Sequence, residues 1–344
     1  MTSDALLLSI FLLVHEVSVL AQRRTFTCTI PSLCSDVAID PRIQTPTQSP
    51  STSAPPTCPT GYVPCNNVKC GISAVGISPG TQNGEATRGA FPWHTFIQNK
   101  NALGVNNGYA GGGVLIDQNF VLTAAHKIRN LTAVNVILGL HNLNEIQAAQ
   151  TIGVSSIYYH SSYNSATLKE DIALLLLSTP VNLGNTISIA CLPAAGRDYQ
   201  GSSADNCLVT GFGQISFTSG AAPTPYLKQV HVPVISTETC RTIMNTLVTP
   251  DTYLDANKEI CAGGQTNLDS CTQDGGSGLV CRDSATTPFS LVGLVNWGKG
   301  CGITGVPGVY VRVSSYIDWI TRTRNCMLTS NFVNCPDASQ HTLL

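Results

Sequence analysis

Short apolar runs separated by Gly, Asn and Pro fill the chain between Phe91 and about Arg312. The clearest runs are residues 112–125, 134–139, 171–177, 207–213 and 289–298. Runs of this length, bounded by turn-forming residues, are typical of β-strands, and their number and spacing predict an all-β barrel or sandwich. One helix is predicted after the last run, where Ser315 to Asp318 reads as a capping box before an apolar face.

The N-terminus carries an apolar run from Ala5 to Val14. Val19 and Ala21 then stand at the small-residue positions of a signal-peptide cleavage site, so residues 1–21 are predicted to be a signal peptide. The run is too short to span a bilayer, and no later segment is apolar enough for an anchor. We therefore expect a secreted, extracellular protein with no membrane partner.

Composition narrows the function classes. The chain has 344 residues and a net charge of −2, which gives no electrostatic reason to expect a nucleic-acid partner. Fourteen cysteines in a secreted chain indicate disulfides, and their spacing favours neither a metal site nor any other cofactor. Asn130, in the sequence Asn-Leu-Thr, is a predicted glycosylation site.

Residues 35–57 are rich in Pro, Ser and Thr and poor in large apolar groups, so they are predicted to be a linker. The linker divides a cysteine-containing N-terminal region, residues 22–70, into two small clusters that cannot fold without disulfides. A larger domain is predicted over residues 71–325, followed by a tail at 326–344.

Three segments have the residues of a hydrolytic site: TAAH ends at His126, DIALL begins at Asp171, and DGGSG begins at Asp274. Their order and flanks resemble the trypsin/chymotrypsin-like serine proteases over roughly residues 71–325. Further matching segments are FPW at 91–93, GG at 112–113, WG at 297–298 and PGVY at 307–310. The resemblance implies two antiparallel six-stranded Greek-key β-barrels with the cleft between them and a C-terminal α-helix.

The resemblance assigns His126 as the base and Asp171 as the acid that orients it. The position of the nucleophilic serine holds Gly275, and Gln273 replaces a glycine of the oxyanion hole. Ser277 lies two residues beyond, but the spacing of the flanking cysteines is kept, so we expect Ser277 to point away from His126. A pseudoprotease is therefore predicted, the alternative being a hydrolase that uses Ser277.

Activation is predicted to be lost as well. Members of this family are cut after a basic residue, and the freed N-terminus pairs with the aspartate that Asp274 matches. Residues 71–86 contain neither Lys nor Arg. We therefore expect a zymogen-like loop in which Asp274 is exposed or bonded elsewhere, because an unpaired buried carboxylate is costly.

The resemblance also implies the disulfides Cys70–Cys191, Cys207–Cys281, Cys240–Cys261 and Cys271–Cys301. The bridge beside the histidine is absent, since Gly111 and Lys127 hold its two positions. Fifteen pairings remain open if the other six cysteines pair only among themselves; these are Cys28, Cys34, Cys58, Cys65, Cys326 and Cys335.

Asp269 matches the acid at the floor of the pocket that selects Arg or Lys, with Gly298 and Gly308 in the pocket walls. Because activation is lost, a collapsed pocket with an inherited aspartate is the favoured interpretation. The alternative is a site that still captures a basic side chain.

The combination of cysteine clusters, a linker and a protease domain with Gly for Ser is similar to the clip-type homologues of arthropod blood. That resemblance implies extracellular protein partners (a protease, a zymogen or prophenoloxidase) and a role as cofactor or modulator of an immune cascade. Microbial-surface recognition and antagonism of melanisation in venom are the alternatives. The direction of the effect and the oligomeric state stay open.

Overall fold

The computed structural model describes residues 27–35, 58–65, 67–77, 84–104, 106–214, 224–247, 254–271, 273–329 and 341–344. The predicted signal peptide, almost all of the predicted linker and Cys335 lie outside these residues. None of the helices in the described segments has the length and apolar character needed to cross a bilayer.

The N-terminal region forms a small two-stranded unit. Strand β1 (Thr27–Thr29) pairs antiparallel with β2 (Val63–Cys65). Two disulfides, Cys28–Cys58 and Cys34–Cys65, join the segments on either side of the predicted linker. Backbone hydrogen bonds then attach β1 to Leu183 of the larger domain, with the Leu183 amide donating to the Cys28 carbonyl at 2.9 Å.

A closed six-stranded barrel comes next in the chain. Its antiparallel order is β7-β6-β3-β4-β5-β8, and β7 also pairs with β8, which closes it. A further strand, β16 (His341–Leu343), pairs with β7. The barrel strands are β3 (His94–Asn99), β4 (Tyr109–Asp117), β5 (Phe120–Thr123), β6 (Val134–Leu138), β7 (Gln150–Tyr159) and β8 (Ala173–Leu177).

The second sheet is a curled half-barrel in the order β10-β9-β13-β14-β15-β12-β11. Residues 228–235 supply both of its edges, because β10 pairs with β9 and β11 pairs with β12. Pro233, which has no N–H to donate, lies at the break between these two edge strands. The strands are β9 (Cys207–Gly211), β10 (Lys228–His231), β11 (Val234–Ile235), β12 (Glu259–Gly263), β13 (Gly278–Cys281), β14 (Ser290–Trp297) and β15 (Pro307–Arg312).

The core explains why some strands read as continuous apolar runs. Along β8, Ala173, Leu175 and Leu177 pack inside the first barrel. Leu174 and Leu176 point the other way, into a core shared with residues of the second sheet and the terminal helix. Since successive side chains of a strand face opposite sides, a strand buried on both faces has no polar positions.

Helices are few among the described residues. The α-helices are α1 (Ala125–Ile128), α2 (Thr237–Leu247) and α3 (Ile317–Thr329), and the 3₁₀ turns are Pro31–Leu33, Lys100–Ala102, Asn106–Gly108, Leu143–Ala148 and Val313–Ser315. Helix α3 buries Trp319, Ile320 and Met327 in the shared core. The predicted capping box is wrong, because the Ser315 hydroxyl donates to the Asn257 carbonyl at 2.5 Å instead of capping the helix.

Four disulfides tie the larger domain together: Cys70–Cys191, Cys207–Cys281, Cys240–Cys261 and Cys271–Cys301, the same pairs that the resemblance implies. Cys326 is disulfide-bonded as well. The predicted two-part, mostly β architecture is confirmed.

Candidate active site

Strand pairing brings His126 and Asp171 together. His126 follows β5 and Asp171 precedes β8, and these two strands are paired with Thr123 opposite Ala173. The Asp171 carboxylate accepts from His126 Nδ1 at 2.5 Å and from the His126 backbone N–H at 2.8 Å. Asp171 is fully buried, so it fixes the orientation of the imidazole as a triad acid would.

Gly275 faces the imidazole but offers no attacking group. A β-carbon built on Gly275 would lie 2.6 Å from His126 Nε2 and 2.7 Å from Lys127 Cδ. Real β-carbons do not approach other atoms this closely, so a side chain at position 275 would displace both neighbours. A serine where the resemblance places the nucleophile therefore fits only if His126 and Lys127 move.

Ser277 is fully buried and faces Gly112 and Gly211 rather than the imidazole. Its hydroxyl lies close to that of Tyr109, and in the described part of the chain no hydrogen bond joins it to His126. A nucleophile has to lie within hydrogen-bond reach of its base and be open to substrate, and Ser277 meets neither condition.

The Asp274 carboxylate, which was expected to be exposed or bonded elsewhere, is bonded elsewhere. It accepts from the backbone N–H of Gly213 at 2.8 Å and of Cys271 at 2.9 Å. Burial raises the pKa of Asp274 to about 6, and these two bonds together with the Lys127 charge oppose the rise. A β-carbon on Gly213 would overlap the Asp274 carboxylate, so glycine is required there.

The backbone at Gln273 is strained. Its φ is 76°, in the left-handed region that favours glycine. A non-glycine residue thus adopts this geometry at a position that the resemblance assigns to a glycine of the oxyanion hole.

Replacing Gln273 with glycine is therefore expected to raise the free energy of unfolding by about 0.5–1 kcal/mol, because the relief of strain exceeds the flexibility added to the unfolded chain. Denaturant unfolding of wild type and Gln273→Gly measures the change. Gln265, an exposed residue without a positive φ, is the matched control. Gln265→Gly should lower the free energy of unfolding by a similar amount. If both variants change this free energy in the same direction, Gln273 is not strained.

The pocket beside Gly275 is open, so the interpretation of a collapsed pocket is wrong. A cavity of about 140 Å³ is lined by Asp269, Gly298 and Gly308, together with His126 and Lys127. It stays open because glycines place no side chains in its walls, and the Cys271–Cys301 disulfide joins two of its lining residues.

At the floor of this cavity the Asp269 carboxylate has one bonded and one free oxygen. Oδ2 accepts from the Gly302 N–H at 3.1 Å, whereas Oδ1 is buried and has no partner among the described residues. Burial raises the pKa of Asp269 to about 6, and the backbone N–H groups of Gly302 and Ser270 oppose the rise. An arriving cation would both pair with Oδ1 and favour the ionised carboxylate.

Comparison with known proteins agrees with this geometry. The Trypsin family model matches residues 81–320. The chain belongs to the trypsin family. It is 40% identical over 321 residues to the inactive CLIP domain-containing serine protease A3 of Aedes aegypti, covering 87% of this chain and 65% of that protein.

Two further relatives extend the comparison. Over 224 residues the chain is 38% identical to the protein masquerade of Drosophila melanogaster, covering 63% of this chain and 21% of masquerade. Over 289 residues it is 32% identical to phenoloxidase-activating factor 2 of Galleria mellonella, covering 80% of this chain and 93% of that protein. This trypsin-family chain thus matches less than two thirds of the length of the first two relatives.

Lys127 is the departure from the trypsin-family pattern with the largest structural consequence. With the histidine-side disulfide absent, its side chain lies across Gly111 and Gly275. Burial lowers the pKa of the Lys127 ammonium, and the nearby charges of Asp274 and Asp171 oppose that effect. Sequence reasoning noted the missing disulfide but not that the replacing side chain fills the nucleophile's space.

Asn130 is exposed at the end of α1, as is Thr132 in the same motif. A glycan would reach solvent there without disturbing the cleft. Glycosylation of this member of the trypsin family stays a prediction.

Proposed function

We propose that this protein is a secreted, catalytically inactive member of the trypsin family that acts by binding proteins of an extracellular protease cascade. The observation that carries the proposal is Gly275, which places no hydroxyl beside an otherwise ordered His126–Asp171 pair. Losing the nucleophile of such a site costs about 10⁶ in rate in the type enzymes.

The cascade role rests on the relatives. One carries the word inactive in its name, and another is named a phenoloxidase-activating factor. We infer that this chain modulates prophenoloxidase activation through a protein partner, either the zymogen or a protease acting on it. The disulfides and the apolar N-terminal run support an extracellular location.

A hydrolase that uses Ser277 as its nucleophile is the competing function. The burial of Ser277 argues against this alternative. We expect purified full-length protein to show no labelling by a fluorophosphonate probe and no turnover of Arg or Lys chromogenic peptides. Labelling that disappears in Ser277→Ala would overturn the proposal.

Restoring the hydroxyl alone should not restore catalysis. Gly275→Ser is expected to stay without measurable turnover, because the new side chain collides with His126 and Lys127. Combining Gly275→Ser with Lys127→Ala removes the collision with Lys127. Comparing the turnover of the single and double variants then shows whether that collision blocks catalysis. Turnover by the single variant would show that the site lacks only the serine side chain.

The cascade role is tested separately, by adding the protein to purified prophenoloxidase and its activating protease. A dose-dependent change in phenoloxidase activity supports the role. No change at any ratio contradicts it.

A further inference from the structure

The open cavity has opposite charges at its two ends. At the floor, Asp269 presents the free Oδ1 oxygen. At the mouth, beside Gly275, Lys127 lines the same cavity. The resemblance assigns the floor acid to proteases that select basic side chains, whereas the cation at the mouth stands where the family pattern has a cysteine.

The Lys127 ammonium is a cation without a bonded counter-ion. It makes no hydrogen bond to any described residue, and the nearest carboxylates are committed elsewhere. Asp171 is bonded to His126, and Asp274 to two backbone amides. Asp274 and Asp171 act on the half-buried Lys127 charge without bonding to it, so an anion that enters the cavity mouth could bond to the ammonium directly.

Further donors surround the same place. In the described chain no acceptor is bonded to the backbone N–H of Gln273 or of Gly275. A planar anion with two oxygens could accept from these groups and from Lys127 together, as carboxylates commonly do.

We propose that the cavity binds the C-terminal residue of a cleaved polypeptide, an Arg or Lys with a free α-carboxylate. The basic side chain pairs with Asp269 at the floor, and the carboxylate pairs with Lys127 at the mouth. This ligand is the product that a protease of basic specificity releases. The inference deepens the proposed function, on which it rests, by naming the partner's chemistry.

An intact substrate fits this site less well than the product. At an uncut position the same atoms form a neutral amide, which leaves the Lys127 cation unpaired. The Lys127 side chain also lies across Gly111 and Gly275, beside the cavity mouth. On this proposal, an uncut chain that continues beyond the bound residue has to pass this side chain. The site therefore distinguishes cleaved from uncleaved chains without any chemistry of its own.

Fluorescence anisotropy with full-length protein tests the inference. Three labelled peptides of one sequence end in Arg with a free carboxylate, in Arg amide, and in Arg-Gly-Gly. The free acid is expected to bind at least about tenfold more tightly than the other two peptides. The reason is that only the free acid can make the charge-assisted contact with Lys127.

Variants assign the discrimination to individual charges. Lys127→Met should remove the preference for the free acid, whereas Lys127→Arg should retain it. Asp269→Asn should weaken the binding of all three peptides. Lys299→Met is the matched control, because Lys299 is exposed and outside the cavity lining, and its affinities should equal those of wild type.

Equal affinity for acid and amide, or no binding of any peptide at millimolar concentration, would overturn the inference. Either result, together with an absence of turnover, leaves the proposed function standing. Hydrolysis of the Arg-Gly-Gly peptide would instead overturn the proposed function. Thermal melts of each variant show whether a lost preference reflects the changed charge or an unfolded protein.

Discussion

Replacing Asp171 with alanine is expected to lower the free energy of unfolding by about 3 kcal/mol, although the protein is proposed to catalyse nothing. The fully buried carboxylate accepts from two donors on His126. Its removal leaves a buried backbone N–H without an acceptor and opens a small cavity, and each of these costs about 1–3 kcal/mol. Denaturant unfolding of the variant measures the loss.

Asp283→Ala is the control, since that carboxylate forms an exposed ion pair with Arg197 at 2.6 Å. Exposed pairs contribute little, so this variant should differ from wild type by less than about 0.5 kcal/mol. Equal losses at the two positions would mean that the Asp171 bonds add no stability.

The expected loss gives a physical reason why a non-catalytic chain keeps its base and acid. Asp171 precedes a strand of the first barrel, and its carboxylate holds the start of α1 through the His126 N–H. Catalytic geometry and local folding thus share one set of hydrogen bonds. Loss of the nucleophile removes the chemistry without removing these bonds.

The apolar runs alone predicted an all-β fold, and the two-barrel architecture came from the resemblance to a known family. Residues 172–177 are all apolar, which is what a strand buried on both faces requires. The curled edge at residues 228–235 was not predictable, since its two halves pair with strands distant in sequence. Pairing partners depend on tertiary packing rather than on local pattern.

The site was predictable only in part. His126, Asp171 and Gly275 could be located by their motifs, and the structure places them together. The path of Lys127 could not be predicted, because a long side chain has many rotamers and the space left by a missing disulfide is visible only in three dimensions.

The cysteines and the pocket show the same limit. Spacing left fifteen pairings open for six cysteines, and two pairs, Cys28–Cys58 and Cys34–Cys65, are now defined by the structure.

The pocket was expected to collapse because activation is lost. In the structure Asp274 bonds to the amides of Gly213 and Cys271, and the cavity lined by Asp269 is open.

Acid is expected to destabilise the protein through His94, which lies between the two sheets. His94 is buried, with Nδ1 3.0 Å from the Thr210 hydroxyl, and burial lowers its pKa from 6.5 to about 3. Between these values the unfolded chain binds a proton that the folded chain does not, so stability falls as the pH drops below 6.5. From pH 7 to pH 5 this contributes a loss of about 2 kcal/mol.

Comparing wild type with His94→Asn isolates this contribution. Burial raises the pKa of Glu259 to about 7, and this carboxyl acts with the opposite sign, gaining stability as the pH falls. Because Glu259 is present in both proteins, its effect cancels in the difference. Between pH 7 and pH 5, His94→Asn should lose about 2 kcal/mol less unfolding free energy than wild type.

Thr210→Val removes the hydrogen bond but keeps the imidazole, so it should retain the full loss of stability. If His94→Asn and wild type lose the same stability, the proton is not excluded from the folded state and the imidazole has access to water.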